Sequence, residues 1–168
     1  MYNLLRFFML LARVGPLEAS LVLARGLGLV YYGLAGRGNR TADANMRRAF
    51  PDQPSSWRQR VLRAMYGRYA QNAVEALYAS CLKTSFLERH IRVTNIDAVR
   101  ALLKEKRPVI FLGCHAGSWE LSNIATAVFF QQAPYAMLAQ PQSRTPRLDR
   151  FLNRIREARG CRVIRTSE

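Results

Sequence analysis

The segment from Pro108 to Asn123 constrains the fold of this chain more than any other part of the sequence. Its apolar run, Val109 to Leu112, is short and continuous, which is typical of a strand buried on both faces. A glycine ends the run, and Trp119 to Phe130 has the composition of a helix. Gly117 and Ser118 lie between the two and supply turn and N-cap chemistry. The sequence therefore predicts a strand–loop–helix unit, the building block of an open α/β sheet.

A histidine and a glutamate stand at the junction of this unit. His115 lies in the predicted loop, and Glu120 follows in the first turn of the predicted helix. Polar groups at the carboxyl end of a strand are where open α/β sheets carry out their chemistry. An imidazole can take a proton from a hydroxyl near neutral pH, and a carboxylate on its other nitrogen fixes the tautomer. We therefore predict that His115 is a general base partnered by Glu120. The alternative is that the histidine caps the helix and the glutamate complements the helix dipole.

The wider sequence resembles one family. Gly113 to Leu121 resembles the HxGNWEL signature of the bacterial lipid A lauroyl/myristoyl acyltransferases, which belong to the larger group of H-x4-D/E glycerolipid-type acyltransferases. Ala44 to Pro51 resembles the NL..aFP element of that family, and Ala139 to Asp149 resembles its RP..NP.LD stretch. Two positions depart from the pattern, because Ser118 stands where Asn is usual and Gln140 where Arg is common.

The resemblance implies an enzyme that moves a fatty acyl chain from an acyl carrier protein or coenzyme A thioester to a hydroxyl of a lipid A precursor or related glycolipid. It implies His115 as the base and Glu120 as its partner. Arg156 falls where the family carries an arginine involved in substrate binding, and we expect it to hold a phosphate. Loop amides near Gly117 and Ser118 are candidates for substrate binding and oxyanion stabilisation. We expect no cofactor, since the thioester is a co-substrate, and no metal, since the H-E-x-x-H spacing is absent.

Two other functions stay open at this point. An acyltransferase acting on phosphatidylinositol mannoside or another lipid would use the same dyad, because the dyad acts only on the hydroxyl. A non-catalytic basic module that binds membranes or nucleic acid would carry the same histidine and glutamate as structural residues. The net charge is +15, from 26 basic and 11 acidic residues. This charge suits anionic lipid headgroups, a phosphorylated glycolipid and an acidic carrier protein. No nucleic-acid-binding motif accompanies it, so we predict no nucleic-acid partner.

Residues 1–36 are predicted to form a membrane-anchoring helical segment. They are dense in apolar side chains but are interrupted by four charged residues, Arg6, Arg13, Glu18 and Arg25. No uncharged stretch therefore reaches the length of an ordinary transmembrane helix. An interfacial helix pair with a break at Gly15–Pro16 fits better than a clean span, although a crossing stays open. The resemblance adds attachment to the bacterial inner membrane, with the site facing the cytoplasm.

Residues 37–168 are predicted to be the N-terminal part of an acyltransferase α/β domain. We expect a glycine-rich hinge at Gly36–Arg40, helices over 42–50, 57–82, 96–106 and 146–159, and strands over 91–93, 135–139 and 161–165. This alternation predicts a largely parallel sheet with flanking helices, following the membrane-associated helices.

Three further predictions concern the packing of the long helix, one cysteine and the end of the chain. One row of the long helix is predicted to pack in the core, namely Val61, Met65, Tyr69, Ala73, Ala76 and Leu77. Cys114 is predicted to be a small buried thiol. Because the chain ends just after a predicted strand, we expect it to lack a C-terminal half and to be inactive by itself.

Overall fold

The computed structural model describes residues 9–10, 15–79 and 81–166. The elements in chain order are α1 (Leu17–Leu34), α2 (Gly36–Ala49), α3 (Ser55–Ala79), α4 (Thr84–His90), α5 (Ile96–Lys104), α6 (Trp119–Phe129), β1 (Tyr135–Ala139), α7 (Pro146–Glu157) and β2 (Cys161–Arg165). The chain is therefore a mixed α/β protein, as predicted, with a helical N-terminal region followed by a β–α–β unit. The predicted helix ahead of Gly15 lies almost entirely outside the described residues.

Helices α1 and α3 form a closely packed pair. The pair can approach because Gly28 has no side chain: a Cβ there would stand 2.9 Å from the carbonyl carbon of Tyr66 and 3.0 Å from the Cβ of Ala70. Val74 and Tyr78 are buried in the same interface. The Tyr78 hydroxyl donates a hydrogen bond to the Gly15 carbonyl over 3.1 Å, which ties the start of α1 to the end of α3.

The other side of α1 carries an exposed apolar stripe, which consists of Val22, Leu23, Leu27, Val30 and Leu34. Arg25 does not interrupt this stripe, because its Cγ lies 3.2 Å from the position that a Cβ on Gly67 of α3 would occupy. Within the described residues, α1 is the helix whose length and composition would allow it to cross a membrane, and 11% of it is buried inside the protein. Most of its apolar surface therefore has no partner in the described part of the chain.

The β–α–β unit packs on the end of α3. Strands β1 and β2 run parallel, with Tyr135 opposite Cys161 at one end and Ala139 opposite Arg165 at the other. The main core lies where α3, α6 and α7 meet, and its buried members are Leu77, Ala79, Ile124, Phe151 and Ile155. This core fixes α6 and α7 relative to each other, and both helices carry residues of the candidate site.

Two predicted strands are wrong. Residues 109–112 belong to no helix or strand and pair with no strand among the described residues. Ile110 and Leu112 are 86% and 96% exposed, so the run is not buried. Residues 91–93 likewise form no strand. The physical reason is that a strand is defined by hydrogen bonds to a neighbour, and an apolar composition alone does not supply that neighbour.

Two further predictions also need correction. The predicted hinge at Gly36–Arg40 is the first turn of α2, where the Asn39 side chain donates to the carbonyl of Tyr32 in α1 over 2.8 Å and holds the two helices together. The predicted core row of α3 is only partly buried, since Ala76 and Leu77 are buried. The earlier members of the row are exposed because α1 and α2 pack on the other side of α3, where Arg58, Leu62 and Gly67 are buried. The exposed members are Val61, Met65, Tyr69 and Ala73.

Candidate active site

His115 lies in the loop that leads into α6, and its side chain is exposed. Its ring centroid is 5.3 Å from that of Trp119, the first residue of α6. The Trp119 ring is in turn 6.0 Å from the ring of Tyr69 on α3. The imidazole therefore stands at the surface, beside the start of α6 and close to the exposed row of α3.

The loop between His115 and α6 is held from α3. Gly117 has a φ of +58°, a left-handed conformation that favours glycine. Its carbonyl accepts a hydrogen bond of 2.7 Å from the side-chain amide of Asn72. Ser118 occupies the N-cap position as predicted, but its hydroxyl makes no capping bond. Instead the Ser118 Oγ is buried without a hydrogen-bond partner among the described residues. The unpaired Ser118 hydroxyl and the first N–H groups of α6, which have no helical partner, thus belong to the same loop-to-helix junction as His115.

Glu120 is bound by Arg156 of α7. The carboxylate accepts one hydrogen bond from Nε of Arg156 over 2.9 Å and a second from its Nη2. The two side chains are 18% and 13% exposed. The hydrogen bond with Glu120 raises the pKa of Arg156 above its usual range, although burial opposes this. Within the described part of the chain, the Glu120 carboxylate bonds to this guanidinium and not to the ring of His115.

A series of hydrogen bonds extends from Arg156 along α7. Nη1 of Arg156 donates to Oδ1 of Asn153 over 2.9 Å, and the Asn153 amide donates to Oδ2 of Asp149 over 3.3 Å. The other oxygen of Asp149 accepts the backbone N–H of Gln142 over 3.0 Å. Asp149 and Asn153 are site residues that were not predicted from the sequence. The available signal was their spacing with Arg156, four and then three residues apart, which places three polar residues on one helical face.

The cysteines near the site differ in environment. Cys114 is exposed, so the prediction of a buried thiol is wrong. The reason is the same as for the missing strand: the segment before it is covered by no described element. Cys161, at the start of β2, is the buried one, and desolvation raises the pKa of its thiol.

The five predicted site residues are thus divided between two groups. His115, Gly117 and Ser118 belong to the loop, whereas Glu120 and Arg156 form a partly buried ion pair between α6 and α7. No three His, Cys, Asp or Glu side chains come together in a metal-binding group among the residues that the structure describes. The absence of a metal from the reaction stays a prediction.

Comparison with known families is decisive for the class of the protein. The chain matches the bacterial lipid A biosynthesis acyltransferase family over residues 2–168. The chain belongs to this family. The acyltransferase finds no match among curated proteins and none among solved structures. Its function is of the lipid A acyltransferase type, with an acyl donor and a lipid acceptor as the general classes of substrate. Members of the family are typically associated with membranes, and the exposed apolar helix α1 agrees with that property.

Proposed function

We propose that this acyltransferase moves a fatty acyl chain from an acyl carrier protein or coenzyme A thioester to a hydroxyl of a lipid A precursor or related glycolipid. The observation that carries the proposal is the family match over almost the whole chain. The loop geometry supports the residue roles, because it combines an exposed imidazole with unpaired donors at the start of a helix. The competing function as a purely basic binding module lacks a comparable observation.

The proposed reaction begins at His115. The imidazole takes the proton of the acceptor hydroxyl, and the oxygen attacks the carbonyl carbon of the thioester. The tetrahedral intermediate collapses with cleavage of the carbon–sulfur bond, and the imidazolium returns the proton to the departing thiolate. The oxyanion is stabilised by backbone N–H groups around Gly117 and Ser118, where the first amides of α6 have no helical partner. No covalent acyl-enzyme is required.

Glu120 and Arg156 support the base in this proposal. Each oxygen of a carboxylate has a second lone pair, so Glu120 can accept a bond from the imidazole while Arg156 holds it. Arg156 is then a positioning residue that fixes the orientation of the carboxylate. Of the five N–H donors of a guanidinium, three are used here, on Glu120 and Asn153. The remaining two can bind a phosphate of the substrate.

The proposed location is the cytoplasmic face of the bacterial inner membrane. The exposed stripe of α1 would face the lipid, since its apolar side chains are otherwise left in water. The net charge of +15 would attract anionic headgroups and an acidic carrier protein. In this proposal the apolar stripe and the net charge both favour association with an anionic membrane.

The central test compares the two histidines of the chain. We expect His115→Ala to lower kcat/KM with a carrier-protein thioester and a lipid A precursor by about 10²- to 10⁴-fold, the usual contribution of a general base. His90→Ala is the matched control, because His90 lies on α4 and stacks on Phe86, away from the loop. Circular dichroism of both variants monitors folding. Equal turnover by the two variants would remove His115 from the mechanism.

The same assay examines Arg156 as a positioning residue. We expect Arg156→Gln to lower kcat, because the carboxylate that supports the base loses the guanidinium that orients it, and Arg156→Lys to restore part of the loss. Arg154→Gln is the control, since Arg154 is exposed on the same helix. A kcat of Arg156→Gln equal to that of Arg154→Gln would indicate a purely structural ion pair.

A further inference from the structure

A second cavity lies at the other end of α6 from His115. Its volume is about 540 Å³, which is within the range of small-molecule sites. It is formed by the start of α4, the end of α6, the loop before β1 and the turn before β2. Since α6 has 11 residues, the cavity is about 16 Å from the His115 loop along the helix axis. The two sites are therefore separate.

The cavity is lined by Arg159, part of whose guanidinium is buried. Nε and Nη2 of Arg159 are buried, and neither has a hydrogen-bond partner among the residues that the structure describes. Arg58 and Arg156, the other inward-facing arginines, bond to carboxylates. A buried charged donor without a partner costs free energy, because water has been removed and nothing replaces it. Because Arg159 also lines the cavity, an acceptor bound there would supply the missing partner once a rotation of the side chain turns these nitrogens towards it.

The chemistry of the lining selects an anion. None of the residues that line the cavity is an Asp or Glu. Thr84, Gln131 and Gln132 add hydroxyl and amide donors from two further segments. The carboxyl ends of α6 and α7 also lie here and carry partial negative charge, which opposes an anion, so the formal positive charge of Arg159 has to supply the attraction. A guanidinium binds oxyanions bidentately, and donors from several directions match a tetrahedral group better than a planar one.

We propose that this cavity is a phosphate-binding site in which Arg159 supplies the principal contact. The ligand is a phosphate group, carried either by a small soluble molecule or by a lipid headgroup. The site goes beyond the proposed acyl transfer, since it lies at the opposite end of α6 and contains neither His115 nor Glu120.

The test is thermal unfolding of the purified protein in detergent, with inorganic phosphate and with acetate at equal ionic strength. We expect phosphate to raise Tm by several degrees in the wild type and in Arg154→Gln, and to have no effect on Arg159→Gln. Arg154 is exposed on α7 and serves as the control for loss of one positive charge. The absence of a shift in the wild type, an equal shift with acetate, or a shift retained in Arg159→Gln would each overturn the proposal.

A second measurement needs no variant. Hydrogen–deuterium exchange of the wild type should slow with phosphate in residues 129–134 and 158–161, the two chain segments at the cavity. Unchanged exchange in both segments would overturn the proposal. Glycerol 3-phosphate and phosphatidylglycerol vesicles then distinguish the two sources: protection by glycerol 3-phosphate indicates a soluble phosphate ligand, and protection by the vesicles alone indicates a headgroup. Neither measurement depends on acyl transfer, so their failure leaves the proposed function unaffected.

Discussion

Three inward-facing arginines have three different roles in this protein. Arg58, 8% exposed, bonds to Asp43 over 2.8 Å and joins α3 to α2. Arg156 bonds to Glu120 and joins α7 to α6. Arg159 has no partner for two of its buried nitrogens among the described residues. Each buried guanidinium needs an acceptor to compensate for the loss of water. Arg58 and Arg156 have a carboxylate as that acceptor, whereas Arg159 lines a cavity.

The Asp43–Arg58 pair predicts a pH dependence of stability. The hydrogen bond from Arg58, and then that from Arg47, holds the pKa of Asp43 below its usual value of 3.8. Its stabilising effect is therefore complete above the unfolded-state pKa and is lost as the pH falls through the lower folded-state pKa. We expect Asp43→Asn to lower Tm at about pH 6 and the difference from wild type to shrink towards about pH 2. Thermal unfolding followed by circular dichroism measures both, and a difference that is constant with pH would contradict the assignment.

At the scale of elements, the α1–α3 contact predicts opposite effects for two neighbouring glycines. Gly28→Ala would place a methyl group against the Tyr66 carbonyl, so we expect a loss of about 1–3 kcal/mol in the free energy of unfolding. Gly26→Ala is the matched control on the same helix, because no atom lies within 4 Å of its added Cβ. We expect that change to stabilise by about 0.5–1 kcal/mol through helix propensity. Denaturant unfolding measures both, and a destabilising Gly26→Ala would show that the two helices pack differently.

The predicted strands and the predicted hinge differ in whether a local sequence pattern was enough to predict them. The predicted strands over 135–139 and 161–165 agree with β1 and β2 to the residue, because Pro134 and Gly160 mark their starts and α7 brings them side by side. Residues 109–112 are more apolar than either strand but have no described partner, because composition does not determine pairing. A glycine-rich stretch predicts a hinge unless a tertiary contact holds it, as Asn39 does in α2.

The same limit applies to the candidate site. The positions of His115 in a loop and Glu120 in the first turn of α6 could be predicted, because Gly117 and Ser118 mark the boundary locally. The ion pair of Glu120 with Arg156 joins residues 36 positions apart. That contact depends on how α7 crosses α6 over the shared core, so no local pattern reveals it. The lack of a partner for two nitrogens of Arg159 could not be predicted for the same reason, since it also depends on tertiary packing.

At the scale of the whole molecule, an apolar stripe and an excess of basic residues occur together. The excess of 15 positive charges attracts an anionic surface, and α1 offers the side chains that can enter it. Association with the membrane should therefore combine a salt-dependent part with an apolar part. Salt screens the electrostatic part, because the Debye length falls to about 3 Å at about 1 M. The apolar part involves no charges and is not screened.

Vesicle binding can separate these two parts. We expect Leu27→Gln to weaken binding to phosphatidylglycerol vesicles by about tenfold, since burial of a leucine side chain contributes about 1.5–3 kcal/mol. Leu138→Gln is the matched control, because Leu138 is 71% exposed on β1 and lies off the stripe. High salt should weaken the wild type and both variants by a similar factor. Equal binding by the two variants at low salt would show that α1 does not meet the lipid through this stripe.

The hydrogen bond from the Asn72 side chain to the Gly117 carbonyl connects the His115 loop to the α1–α3 pair. It spans 45 positions of sequence and makes the loop of His115 an attachment of α3, the helix that also packs against α1. An enzyme that rests on the bilayer through α1 would therefore hold its imidazole at one height above the lipid surface. A lipid could react only if its hydroxyl projects to that height. The α1–α3 pair would then determine which acceptors react, according to how far the headgroup of each lipid extends from the membrane surface.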